Sequence, residues 1–366
     1  MFNPAIRRNI IKIVTFSTLW GLGGVIFTLV ERGVIGSMKV YPSTGVAYEF
    51  VSNIISIPIA TFVGGFILMG IDILVINNRV QDKPFVAILL IKGLSFLIIT
   101  LATTLLAGVF ATSATLGKHP FHPDVIAGIS EFFGNFAFWS IIIYAGFLNI
   151  IYLFIIEVSD SLGLSVFWNF FSGKYHQPKV EQRVFMFLDL KGSTQLAEKL
   201  EHRTYHEFLN RFFGDVSGAV LNSWGEIYQY VGDEVVIHWP WQKGEESIRC
   251  FFRIKQKIEF ERENYLKHFG VAPEFRVGIH GGVVSIGEIG SLKKDILYIG
   301  DVLNTTSRIQ EICKKQGKEI LVSEDTIKPI LISIKKYYTL DDIGYCEIRG
   351  RTKPIRLYHL SAMENI

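Results

Sequence analysis

The sequence predicts four membrane-spanning helices followed by an α+β domain whose helices lie on one face of a mostly antiparallel sheet. Three observations carry that expectation. The 366-residue chain is 49% hydrophobic and only 19% charged, with a mean hydropathy of +0.32, too apolar for a soluble chain of this length. Its charges are uneven: residues 1–156 hold 9 of the 37 Lys/Arg and 6 of the 34 Asp/Glu, so the net charge of +3 belongs to that half. Beyond it, apolar stretches of strand length alternate with amphipathic stretches of helix length. The balanced second half offers no electrostatic footprint for nucleic acid. Cys250, Cys313 and Cys346 all fall there, at spacings that fit neither a zinc site nor a disulfide framework, which suits the cytosol.

Four uncharged runs, 13–30, 50–71, 93–117 and 132–156, each approach or exceed the roughly 18–20 residues that span a hydrocarbon core as helix. No small-residue cleavage site follows Val30 and three more spans come after it, so the first run reads as a retained span rather than a signal peptide. Arg7, Arg8 and Lys12 before the first span, with Arg79 and Lys83 between the second and third, place both segments on the cytosolic side. Four spans then return the chain to that side after Ile156, which predicts a cell (inner) membrane protein with its N-terminus and polar half in the cytoplasm. The external segments, about 31–49 and 113–129, are too short to fold as sensors. Asp72 and Lys92 intrude on the second and third spans at matching depths, and either pair with each other or sit separately at the interface, Lys92 snorkelling to the headgroups. His119, His122 and Asp124 lack a fourth ligand or regular spacing and read as a polar loop.

Residues 157–179 join the two halves. Leu164 to Tyr175 is short and amphipathic, with Phe167, Trp168, Phe170 and Phe171, and either lies on the membrane surface or pairs with a second copy. Pro178 ends the pattern, which puts the domain boundary near residue 180. Val184 to Leu188 is a buried strand that delivers Asp189 to its tip. Residues 204–222 place Phe208, Phe212, Val216 and Val220 on one helical face. Gly225–Val231 and Val235–Trp239 flank the tight turn Gly232-Asp233-Glu234. A long helix from about Gly244 to Phe269 follows, then a strand at Glu274–His280 and glycine-rich chain to Gly290.

The chemistry follows from the carboxylates. Asp189 at a strand end and Asp233 in an adjacent turn suit two divalent ions, and paired metals beside a glycine turn suit nucleotide phosphates. The turn Leu190-Lys191-Gly192-Ser193-Thr194 can aim backbone N–H groups at phosphate oxygens, although such a stretch is often only a helix cap. Gly300 to Gln310 opens a helix on which Asn304 and Arg308 share a face. Near the C-terminus, Arg349-Gly350-Arg351-Thr352-Lys353 adds cations in a turn.

Together these residues resemble the catalytic domain of class III nucleotidyl cyclases, the adenylate and guanylate cyclases. The anchors are Phe187-Leu188-Asp189-Leu190-Lys191-Gly192-Ser193-Thr194, Val231-Gly232-Asp233-Glu234, Ile299-Gly300-Asp301-Val302-Leu303-Asn304 with Arg308, and Arg349-Gly350-Arg351, covering about residues 180–360. The resemblance implies a four-helix transmembrane domain followed by an α+β ferredoxin-like class III cyclase catalytic domain. It implies that Asp189 and Asp233, with the Leu190 carbonyl, hold two Mg²⁺ or Mn²⁺. Asn304 would orient the ribose, Arg308 would stabilise charge on the α-phosphate, and Arg349 would hold the terminal phosphates. Gly192, Ser193 and Thr194 would line the phosphate turn. In the family Asn304, Arg308 and Arg349 serve the opposite subunit, so a head-to-tail homodimer, inactive as monomer, is implied. The base-reading positions depart from the family: Gln229 and Leu297 stand where adenylate cyclases often have Lys and Asp or Thr. The membership favours ATP, with GTP as the alternative.

Three rival readings compete with this resemblance. The Gly-Asp-Glu turn also resembles that of diguanylate cyclases, but Val231 replaces the first glycine of their signature and residues 300–308 have no place there. A non-catalytic cyclase-like receptor is disfavoured because Asp189, Asp233, Asn304 and Arg308 are all present. A transporter finds little support in spans holding only Asp72 and Lys92.

Overall fold

The computed structural model describes residues 4–40, 48–80 and 83–363. Residues 41–47, inside the first expected external segment, and 81–82, inside the basic loop, lie outside them. The chain divides into two compact bodies, Ile6–Phe167 and a second that holds Trp168–Ile366.

The first body contains α1 (Pro4–Ile35) and α2 (Phe50–Ile71), which continues through a π-helical turn at Asp72–Ile76 into α3 (Asn77–Val80). It goes on with α4 (Phe85–Leu116), α5 (Pro123–Gly134) and α6 (Phe136–Leu162), and α7 (Leu164–Phe171) follows. Among the described residues four segments are long and apolar enough to cross a membrane: Ile6–Ile35, Phe50–Ile76, Phe85–Phe110 and Phe138–Ser161. The amphipathic α5 is an element that the search for uncharged runs missed. α6 runs on to Leu162, because nothing before Gly163, at φ +89°, breaks it. His119 and His122 accept hydrogen bonds at Nδ1 from the backbone N–H groups of Phe121 and Asp124, both at 3.3 Å, so they close local turns.

Phe16, Trp20, Leu68, Met69, Phe96, Tyr152 and Leu153 form the core of this body. Tyr152 and Tyr144 on α6 donate hydrogen bonds to the Leu19 and Gly23 carbonyls of α1, at 2.6 and 2.9 Å, and staple the two helices. The two ionisable groups expected inside the spans do pair. Lys92, 1% exposed, donates to Asp72 at 3.2 Å, to Asn77 at 3.0 Å and to Glu157 at 2.6 Å. Glu157, placed by sequence in the joint, thus belongs to the same buried cluster, and Asp160 one turn on pairs with Lys12 at 2.5 Å.

The second body is built on one sheet. Its elements are β1 (Lys179–Leu190), α8 (Ser193–Lys199), α9 (His202–Asn222), β2 (Glu226–Val231), β3 (Glu234–Pro240), α10 (Gly244–Phe260), α11 (Arg262–Phe269), β4 (Phe275–Ile289) and β5 (Asp295–Ile299). Then come α12 (Asp301–Lys315), β6 (Ile320–Ser323), α13 (Glu324–Ile327), α14 (Leu331–Ile334), β7 (Tyr338–Cys346) and β8 (Ile355–Ala362). The strands run β2-β3-β1-β4-β6-β8-β7, with β5 pairing β4, and every pairing except β4–β6 is antiparallel.

Alternation along β1 sorts the core into two layers. Val184, Met186, Leu188 and Leu190 face α9 and α10 with Phe208, Phe212, Ile248, Phe251 and Ile254, whereas Phe185 and Phe187 join Tyr175, Val284, Ile286 and Val302 on the other side. The expectation of helices on one face therefore needs correction, since α12 covers the second face. The expected helix to Phe269 also breaks, at Glu261, which turns Tyr265 into the core where it donates to Asp215 at 2.6 Å. The glycine-rich chain after His280, to which the sequence assigned no element, continues β4 to Ile289. Its glycines admit neighbours rather than bends: a Cβ on Gly278 would lie 2.5 Å from the Gln310 backbone N and 2.8 Å from the Thr306 carbonyl. The helix backbone thereby rests directly on the strand.

Candidate active site

β1 is the central strand of the site, and register fixes who meets whom at its end. Asp189 lies directly opposite Glu234 on β3 and Arg276 on β4. Directly opposed residues share a face of the sheet, so Asp189 and Glu234 project together on the α12 side. The Gly232-Asp233 turn, with Gly232 at φ +63°, brings a third carboxylate beside them. Burial, and then the Asp233 charge, holds Asp189 above the usual carboxylate range. Glu234 is pushed up to about 7 by burial first and then by Asp189 and Asp233. Tyr205 on α9 also adjoins this cluster, and burial followed by the charges of Asp233 and Asp189 raises its hydroxyl.

Hard carboxylate oxygens crowded at a half-buried strand end repel one another, and a divalent cation relieves that repulsion. The donor set therefore fits the expected metals. Among the described residues no group of three or more His, Cys, Asp and Glu side chains is arranged to hold a metal alone, so backbone, phosphate or water oxygens would complete the shell of a bound ion. Leu190, the last residue of β1, buries its side chain in the core below. Gly192, at φ +68°, turns the chain away from β1 into α8, which begins at Ser193 and Thr194. Lys191 is tied back, its N–H donating to the Glu274 carbonyl at 2.7 Å.

The other expected site residues do not join this cluster within one chain. Gln310 on α12 is 5% exposed and donates from Nε2 to the Asp189 Oδ2 at 2.9 Å. At about 100° per residue, Asn304 and Arg308 sit roughly 240° and 200° around the helix from Gln310, so they point away from the sheet. Asn304 is exposed, and Arg308 pairs along its own helix with Glu311. Arg349 is exposed in its turn, whereas Arg351 reaches the first turn of α12 through Asp301 at 3.3 Å and Thr305 at 3.4 Å. Gln229 is exposed on the edge strand β2 at a register shift, and Leu297 lies on β5 opposite Gly287. Sequence reasoning missed Glu234 as a site member, although it follows Asp233 directly, and it missed Gln310 and Arg276.

A strand-end carboxylate pair beside a glycine turn, with an amide and a guanidinium on a separate outward helix face, is the arrangement the resemblance to nucleotidyl cyclases leads one to expect. Residues 175–362, just over half of the chain, match the Adenylate and Guanylate cyclase catalytic domain, and the chain belongs to that family. Among curated relatives it is 35% identical to "Adenylate cyclase 2" of Rhizobium meliloti (strain 1021) over 213 residues, covering 57% of this chain and 58% of that protein. It is 27% identical to "Adenylate cyclase" of Anabaena cylindrica over 184 residues, covering 48% of this chain and 36% of that protein. The chain thus spans less than two thirds of the length of either. A solved bacterial light-regulated adenylyl cyclase superposes with a TM-score of 0.50 at 19% identity, over 59% of this chain and 63% of that one, and shares the fold.

Proposed function

We propose that the protein is a membrane-bound adenylate cyclase that converts ATP to 3′,5′-cyclic AMP and pyrophosphate at two identical sites of a head-to-tail homodimer. The observation that carries this reading is the separation on α12. Within one chain the carboxylates of Asp189 and Asp233 converge, while Asn304 and Arg308 face outward on the far side of the helix. A catalytic set split in this way is complete only when a second chain supplies the outward face.

In that arrangement Asp189 and Asp233, with the Leu190 carbonyl, would hold two Mg²⁺ or Mn²⁺. When bound, such ions lower the pKa of the ribose 3′-hydroxyl and neutralise the triphosphate. The turn Gly192-Ser193-Thr194 faces its N–H groups to phosphate oxygens. Asn304 of the second chain orients the ribose so that its 3′-oxygen stands in line with the α-phosphorus, and Arg308 offsets charge that develops there. Arg349 holds the terminal phosphates as pyrophosphate departs. Gln229 reads the purine edge and Leu297 packs on the ring. Adenine is favoured by the relatives' names, and an amide at 229 can serve it by accepting from the exocyclic amine and donating to a ring nitrogen. Residues 1–156 anchor the enzyme in the cell (inner) membrane, residues 157–179 couple the spans to the catalytic domain at 180–366, and that domain lies in the cytoplasm.

The test is cyclic nucleotide formation by the purified full chain in detergent with Mn²⁺, offering ATP and GTP separately. Cyclic AMP from ATP, lost in Asp189→Ala and Asp233→Ala proteins that retain wild-type thermal stability, supports the proposal. Full turnover in either variant removes the metal assignment, and product from GTP alone reverses the base assignment.

A further inference from the structure

We propose that Gln310 is a positioning residue for the metal carboxylate of its own chain, so that α12 serves two different active sites from its two sides. The inference rests on the reading of Asp189 as a metal ligand and deepens it. Gln310 is nearly fully buried, and its side-chain amide donates to Asp189 Oδ2 at 2.9 Å across 121 residues of sequence. Its place is fixed from below, because the Gln310 backbone N occupies the space that a Cβ on Gly278 would need. The amide therefore approaches Asp189 from a rigid seat. One carboxylate oxygen is held by a neutral donor, which sets the plane of the carboxylate and turns its other oxygen toward the neighbouring Asp233, where a shared cation would sit. Outer partners of this kind orient metal-ligating carboxylates, and their loss costs about 10–100-fold in metal affinity or activity.

Two residues before Gln310, Arg308 faces the opposite way. Under the proposed dimer, Gln310 acts on the site of its own chain and Arg308 on the site of the other. They therefore belong to different complementation groups although they share one helix.

The experiment uses the full chain in detergent. Mn²⁺ binding is followed by electron paramagnetic resonance in the presence of 3′-deoxy-ATP, which cannot cyclise. Gln310→Ala and the similarly sized Gln310→Met, which lacks the donor, are each expected to weaken Mn²⁺ binding about 10–100-fold. Wild-type affinity in a folded Gln310 variant overturns the proposal. Asp189→Ala is the control for the underlying reading: if it too keeps wild-type affinity, the metal assignment fails rather than the role of Gln310. In co-expressed, doubly tagged pairs, Gln310→Ala with Arg308→Ala is expected to recover cyclase activity, whereas Gln310→Ala with Asp189→Ala stays at or below the level of Gln310→Ala alone. Recovery in the second pair places Gln310 in the other chain's site and refutes the inference. Should the reference pair Asp189→Ala with Arg308→Ala fail to complement, the dimer reading falls and the Mn²⁺ titration alone decides the role of Gln310.

Discussion

Lys92 offers a sharp test of how the first body is held together. Its ammonium meets Glu157 at 2.6 Å and Asp72 at 3.2 Å, with Asn77 as a neutral third partner. At an effective dielectric of about 20, the two ionic contacts are worth about 6 and about 5 kcal/mol before desolvation is subtracted. The cluster holds one cation and two carboxylates, so the three single neutralisations are not equivalent. Asp72→Asn leaves a one-to-one pair with Glu157 and should fall within about 1 kcal/mol of wild type, all the more because Asp72 Oδ1 is buried without a hydrogen-bond partner. Glu157→Gln leaves the longer pair and should cost about 1–2 kcal/mol. Lys92→Met removes the ammonium that touches both carboxylates and leaves Asp72 and Glu157 buried without that partner, at a cost of about 3–5 kcal/mol. Thermal unfolding of the full chain in detergent micelles, followed by tryptophan fluorescence, ranks the three. Lys92→Met as stable as Asp72→Asn would refute the charge accounting.

Two further outcomes are expected. Gly278→Ala places a methyl group against the α12 backbone, which no rotamer change relieves; it should destabilise the second body by about 2 kcal/mol and lower cyclase activity, both checked on one purified sample. His238, fully buried, is held down to about 3 by burial and then by the Arg183 charge, and His280 is likewise lowered to about 4 by burial. Because both folded values lie below the ordinary 6.5, their contribution to stability is complete above that pH. It is lost as pH falls from about 6.5 toward 3, by at most ~1.4 kcal/mol per pH unit for each histidine. Unfolding scans across that range should show the loss, and His238→Phe should remove about half of the slope that the two histidines contribute, leaving the share of His280; an unchanged slope in the variant would assign the acid sensitivity elsewhere.

What could be read from the sequence was whatever is carried by a few consecutive residues or by one period. Val184 to Asp189 announces a buried strand with a carboxylate at its tip, and Gly232-Asp233-Glu234 announces a turn, because local sterics and burial decide both. Asn304 and Arg308 could be placed on one helix face by their spacing alone. Periodicity says which residues share a face, but not which element that face meets. The side of the sheet that α12 covers, the bond from Gln310 to Asp189 and the reach of Glu157 to Lys92 across 65 residues are all decided by packing between distant elements. The glycines of β4 left the end of that strand open for a related reason: glycine signals a turn when the chain needs a positive φ, and here it signals the close approach of a neighbour instead.

The seat of α12 on Gly278 bears on how a signal can be expressed. Backbone pressed on backbone leaves no compliant layer between helix and strand, so the helix cannot tilt without taking the sheet with it. In the proposed dimer, the inward amide that sets one site and the outward guanidinium that completes the other are thus bolted to a single rod. A stimulus then has few gradations to select from within one dimer, and both sites come into register or neither does. A graded cellular response would have to be composed as a fraction of molecules switched on, each reporting close to all or nothing.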